Sequence, residues 1–129
     1  MVEPASPPAV LHVEDEPAIR ALVRITLTRA GYRVLEAPDG PDAVAALAAD
    51  PGRVAAVLLD LNLPSMSGYA VLTELRRIRP GVPVILMSGS TEDGLDPDAT
   101  EQPTLVLPKP FRGVDLTDAV RAVLPPRGA

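Results

Sequence analysis

Five polar side chains stand where short apolar runs end, and their types suit phosphoryl chemistry. Glu14 and Asp15 close the run at 10–13, Asp60 closes 55–59, Ser88 closes 82–87, and Lys109 follows 105–107. Three carboxylates brought together repel one another, at about 4 kcal/mol per pair for a 4 Å separation and an effective dielectric near 20. Such a cluster calls for a cation. An all-oxygen donor set with few protein ligands suits Mg²⁺, which keeps several waters and also binds phosphate oxygens. Lys109 adds a mobile point charge, and Ser88 a neutral hydroxyl donor. A carboxylate can itself act as the nucleophile and carry the phosphoryl group. The transfer asks mainly for positioning and neutralisation of charge.

The elements that must position these groups are legible as alternating short apolar runs and amphipathic stretches. Pro17 suits the first turn of a helix, and Ile19, Leu22, Val23, Thr26 and Ala30 follow at steps of three and four. Gly31 stops that helix, and 33–36 form a second strand. Asp39 and Gly40 turn the chain, and Pro41 opens a helix that ends by Pro51 and Gly52. The run 55–59 is apolar without alternation, as in a strand covered on both faces. Ser67 caps the next helix, whose inner face is Val71, Leu72, Leu75 and Ile78. The last helix shows Leu116, Ala119, Val120, Val123 and Leu124. Between Ser90 and Pro103 the rhythm breaks: Gly94 and Pro97 fall where a fourth helix belongs, and proline costs about 3 kcal/mol in a helix interior. A loop with at most one or two helical turns is expected there.

Repeated strand–helix alternation implies an α/β fold, a parallel sheet with helices on both faces and right-handed crossovers. Functional groups then gather at the carboxyl ends of the strands. The five residues above therefore share one rim.

Composition narrows the chemistry. The 129 residues make one domain, expected over 9–124, with a disordered tail at 1–8 and a tail or linker at 125–129. The absence of cysteine excludes disulfides, zinc fingers and thiol nucleophiles, and one histidine excludes a multi-histidine metal site. Twelve basic residues against 17 acidic give a net charge of −5, and aromatics are 2%. Neither suits nucleic-acid binding, which needs clustered cations or stacking platforms. No run approaches the roughly 18 apolar residues of a membrane span, and the start has no secretory pattern. The expectation is a cytoplasmic protein that binds neither membrane nor nucleic acid.

Four segments carry a resemblance: VEDEP at 13–17, LLDLNLPSMSG at 58–68, LMSG at 86–89 and LPKPF at 107–111. In that order and spacing the chain resembles the receiver domain of bacterial two-component response regulators, over about residues 9–124. The resemblance implies a flavodoxin-like doubly wound sheet of order 2-1-3-4-5. It implies Asp60 as the phosphoacceptor, and Glu14, Asp15, Asp60 and the Asn62 backbone carbonyl as Mg²⁺ ligands. Ser88 and Lys109 match the groups that meet the phosphoryl group, and Lys109–Pro110 matches a cis peptide. The side chains of Asn62 and Ser90 match positions that tune dephosphorylation. The partner implied is a sensor histidine kinase or a histidine phosphotransfer protein, and the domain a monomer or weak dimer that is not a turnover enzyme. Two departures stand out. Val106 occupies the place of an aromatic switch residue, and the broken segment replaces the fourth helix. The MSG ending with a short helix looks more like receivers attached to or paired with sensor kinases.

Plain readings exist beside these. Asp60 read alone is a strand-terminating acid, Glu14 and Asp15 are acids favoured at a helix N-terminus, and Lys109 is a loop lysine. His12 reads as a satisfied strand residue, and Arg76, Arg77 and Arg79 as a solvated helix end. Two other functions compete: a constitutive protein-binding module with a vestigial site, and an aspartyl-nucleophile phosphohydrolase. The latter wants an acid two residues after the nucleophile, where this chain has Asn62.

Overall fold

The computed structural model describes residues 9–89 and 95–124; the expected tails and Ser90 lie outside the described residues. Five strands, β1 (Ala9–Val13), β2 (Arg33–Ala37), β3 (Val54–Asp60), β4 (Val84–Ser88) and β5 (Leu105–Pro108), form one parallel sheet of order β2-β1-β3-β4-β5. Helices α1 (Pro17–Arg29), α2 (Gly40–Ala49), α3 (Gly68–Ile78) and α4 (Gly113–Val123) cover it. Parallel strands need crossovers, and the helices supply them on both faces.

The core divides by the parity of the strand residues. Leu11, Val57, Leu59, Val84 and Leu86 face α2 and α3 and pack with Leu47, Val71, Leu72 and Leu75. Val10, Leu58, Ile85 and Met87 face the other way, onto Val23 and Leu27 of α1 and Leu116 and Val120 of α4. With both sides covered, β1 and β3 are apolar at nearly every position. The edges are different. Exposed Glu36 of β2 pairs with Arg24 of α1 at 2.9 Å, and β5 is four residues long and ends in proline.

Local signals set the helix starts. Pro17 and Pro41 lie in first turns, and the Ser67 hydroxyl accepts from the Ala70 N–H at 3.2 Å. Helix α2 begins one residue before the expected proline, at Gly40, because the Asp39 side chain caps it by accepting from the Gly40 N–H at 2.7 Å.

Among the described residues between β4 and β5 no helix forms. Residues 95–104 are pinned by side chains. The Gln102 amide donates to the Asp96 and Ala99 carbonyls at 2.9 and 3.0 Å, and the Tyr69 hydroxyl accepts from the Asp96 N–H at 2.9 Å. Tyr69, Leu95, Pro97, Pro103 and Val106 line an apolar hollow of about 420 Å³ on this side.

Two arginines correct the expectation of a solvated helix end. Arg76 donates to the Val82 carbonyl at 2.8 Å and to Glu101 at 3.1 Å, so it ties α3 to the approach of β5. Arg79 donates to the Pro51 carbonyl at 3.0 Å and to the Val54 carbonyl, bracing the start of β3. Arg77 alone fits the expectation, exposed and paired with Glu74.

Gly68 is packed against backbone near the rim. A Cβ there would lie 2.8 Å from the Leu61 Cα and 3.0 Å from the Asp60 carbonyl oxygen, both backbone atoms that yield little. Gly68→Ala is expected to destabilise the domain by about 1–3 kcal/mol through overpacking, read as a lower urea midpoint at unchanged slope.

Candidate functional site: an acidic rim with one lysine

Because all strands run the same way, their carboxyl ends meet at one rim. Asp60 ends β3 beside Met87 of β4, and Ser88 ends β4 beside Pro108 of β5. Glu14 follows β1 and joins the sheet edge-on, its N–H donating to the Ala37 carbonyl at 3.0 Å. One carboxylate oxygen each from Glu14, Asp15 and Asp60 lies within 4.8 Å of the others. Glu14 and Asp60 are buried and Asp15 is exposed, so the cluster opens to solvent on the Asp15 side.

Lys109 crosses this cluster. Its Nζ stands 3.3 Å from Asp60 Oδ2 and 3.5 Å from Glu14 Oε1. The second Asp60 oxygen accepts from the Asn62 N–H at 3.1 Å. The Lys109 N–H donates to the Ser88 carbonyl at 2.7 Å, and the Lys109–Pro110 peptide is cis. Ser88 is itself buried.

The charge balance is incomplete. Glu14 Oε1 is buried with no hydrogen-bond partner among the described residues, only the longer ion pair to Lys109. Burial and the neighbouring Asp60 carboxylate push Glu14 up to about 7, against the pull of Lys109 and the Glu16 N–H. A buried orphan oxygen within a three-acid, all-oxygen set is the donor chemistry of a Mg²⁺ site. The cluster fits that ion.

His12 corrects its expected role as a satisfied strand residue. It is fully buried on the α1 and α4 side of β1, and neither ring nitrogen has a hydrogen-bond partner among the described residues. Burial, then Lys109 and Arg20, hold it down to about 4, so it is neutral at physiological pH.

The structure thus brings together Glu14, Asp15, Asp60 and Lys109, places Ser88 on the same rim, and sets the Asn62 amide against Asp60. Ser90 lies outside the described residues. Sequence reasoning missed the residues behind the site. Arg20 Nη1 donates to the Glu14 carbonyl at 2.7 Å and holds the acid-bearing turn from α1. Asp39 reaches across to Ser65 in the loop after β3. An arginine one turn into α1 and a capping acid are ordinary helix features, so neither announces a second role.

Comparison with known proteins agrees with this arrangement. Residues 10–121 match the model of the response regulator receiver domain. The chain is 40% identical over 119 residues to the transcriptional regulatory protein TcrA of Mycobacterium tuberculosis, covering 88% of this chain and 45% of that protein. It is 35% identical over 116 residues to the sensor kinase CckA of Brucella abortus, covering 89% of this chain and 12% of that one. Against the solved structure of the response regulator TrrA of Thermotoga maritima, a complex with Mg²⁺ and BeF, it superposes with a TM-score of 0.80 at 26% identity, covering 91% and 99% of the two chains. The doubly wound sheet with acids and a lysine at its carboxyl rim, taken with these matches, places the chain in the class of receiver domains. This chain belongs to the response regulator receiver domain family. It spans less than half the length of TcrA and about an eighth of CckA.

The two shifted groups give opposite pH signatures in metal-free protein. Glu14, raised above its ordinary value, contributes stability that is present below pH 4.5 and lost as pH rises through about 7. His12, lowered, contributes stability that is present above pH 6.5 and lost as pH falls through about 4. Glu14→Gln is expected to lose stability more steeply than wild type on acidification from pH 6.5 to 4, and His12→Leu more steeply on alkalinisation from pH 4.5 to 8. Urea titrations in chelator at several pH values check both, and parallel slopes for all three proteins contradict them.

Proposed function

We propose that this chain is a phosphoacceptor that takes a phosphoryl group from a phosphohistidine onto Asp60, with Mg²⁺, and thereby switches its interactions with partner proteins. The observation that carries the reading is the meeting of Glu14, Asp15 and Asp60 within 4.8 Å, with Lys109 at 3.3 Å from the central carboxylate.

Each residue has a definable task. Glu14, Asp15, Asp60 and the Asn62 backbone carbonyl would hold the ion; when bound, it neutralises the carboxylates and the charge on phosphoryl oxygens. An Asp60 carboxylate oxygen is the nucleophile. It forms a bond to phosphorus as the bond from phosphorus to the donor imidazole nitrogen breaks, with that electron pair leaving on the imidazole. The Asn62 N–H fixes the rotation of the Asp60 carboxylate, so one oxygen is held and the other faces Lys109. Lys109 supplies a charged donor to the incoming group, and Ser88 a hydroxyl on the same rim. Phosphorylation adds about −1.5 to −2 charges, which draws these two groups and their loops toward Asp60.

The donor would be a sensor histidine kinase or a histidine phosphotransfer protein. The resemblance to the CckA sensor kinase supports placing this receiver among those attached to or paired with such kinases. The reading is of a cytoplasmic module, a monomer or weak dimer, that binds neither nucleic acid nor membrane through this domain. No helix among the described residues is long and apolar enough to cross a membrane. It is also a reading of a switch and not a turnover hydrolase, because the amide of Asn62 provides no general acid two residues after the nucleophile.

Incubation with Mg²⁺ and acetyl phosphate is expected to add one phosphate to wild type and none to Asp60→Asn, read by intact mass. Lys109→Ala should bind Mg²⁺ yet accept phosphate at least about tenfold more slowly, in line with loss of an electrostatic donor. Phosphate retained by Asp60→Asn would place the acceptor elsewhere.

A further inference from the structure

The loop joining β3 to α3 leaves the site at Asp60 and returns at Gly68. Its base is stapled: the Gly68 N–H donates to the Leu61 carbonyl at 2.8 Å, and Asn62 and Ser67 form an antiparallel bridge. Its tip is held from a different part of the chain. The Ser65 hydroxyl donates to Asp39 Oδ2, and the Ser65 N–H lies 3.4 Å from Asp39 Oδ1. Asp39 follows the edge strand β2, one strand beyond β1 from β3, and stands 26 positions away in the chain.

Capping explains only half of Asp39. A cap uses one oxygen, and Oδ1 fills that role on the Gly40 N–H at 2.7 Å. The second oxygen goes to Ser65. Steric fit reinforces the contact: a Cβ on Gly40 would meet Val71 Cγ2 at 2.7 Å and Met66 Sδ at 3.0 Å, so the loop lies directly on the start of α2. Fixed at base and tip, the loop has little freedom to carry Asn62 away from Asp60.

We propose that Asp39 and Ser65 are a positioning pair for phosphoryl transfer: by holding the tip of the loop they keep the Asn62 amide on Asp60, and so set the affinity for Mg²⁺ and the rate of phosphorylation. Neither touches the reacting atoms, and the inference rests on the proposed function of Asp60.

The test uses the full chain and three variants, Ser65→Ala, Ser65→Thr and Asp39→Asn. Asparagine keeps the cap, being as good an N-cap as aspartate, and its Nδ2 can donate to the Ser65 hydroxyl, so this variant removes the charge and keeps the link. Mg²⁺ affinity is measured by calorimetry and phosphorylation by intact mass with acetyl phosphate. Ser65→Ala is expected to lose about tenfold in one or both, the scale seen when supports of metal ligands are removed, while Asp39→Asn, which keeps the link, stays within about threefold of wild type. Ser65→Thr, which keeps the hydroxyl, should recover to within about twofold of wild type, while the melting temperatures of all metal-free variants stay close together. Wild-type affinity and rate in Ser65→Ala, or a threonine variant as impaired as the alanine one, overturns the pair. Amide exchange separates this from failure of the underlying reading. Ser65→Ala should speed exchange of the Asn62 N–H in metal-free protein even if no phosphate is ever accepted, and unchanged exchange overturns the pair independently.

Discussion

The repulsion among Glu14, Asp15 and Asp60 governs how the rest of this molecule is arranged. One lysine reaches two of the three carboxylates, and it does so at ion-pair distances longer than a good charged hydrogen bond. The cluster is therefore left underneutralised, and burial together with the Asp60 carboxylate raises Glu14 to about 7. A cavity of this kind is costly to the fold and valuable to a ligand. A small dication entering the cluster would release the free energy stored in the like charges and so would link the stability of the sheet's rim to occupancy of the site.

The surrounding framework resists relaxation. Asp60 is the last residue of β3 and Glu14 the first after β1, both strands buried on both faces, so neither acid can retreat without unpairing the sheet. The turn bearing Glu14 is held by Arg20 and the Glu16 N–H, and the turn after Asp60 by Gly68 and Asn62. On the opposite rim Arg76 and Arg79 do comparable work on backbone carbonyls. Arginine suits that task because its planar fork can bond two separate acceptors at once.

The strands and their shared rim were legible because two simple signals agree, whereas the order of the strands came only with the resemblance to receiver domains. Apolar runs without alternation mark strands covered on both faces, and a polar or charged residue closes the runs that reach the rim. The helix faces followed from spacing, and the break before β5 from Gly94 and Pro97. What was not legible depends on long-range contacts. Nothing in the order of residues says that Arg79, in extended backbone just past α3, turns inward to the Val54 carbonyl while Arg77, in the last turn of α3, turns outward to Glu74. His12 also deceived: a strand position suggests a satisfied polar group, yet the ring is fully buried with neither nitrogen partnered among the described residues. The double duty of Asp39 was hidden by its ordinary role as a helix cap.

The sheet's two outer strands carry a consequence of their own. Side chains make up a large apolar share of this chain, 47% of its residues, and an open parallel sheet always leaves two rows of unpaired backbone groups. On one flank Arg33 and Glu36 are exposed, with Glu36 tied to Arg24. On the other, the outer strand is short and is framed by Pro103 and Pro108, neither of which can donate to an added strand. Charge guards one margin and missing donors guard the other, so the molecule can keep a greasy interior without inviting its own copies to stack sideways into fibres.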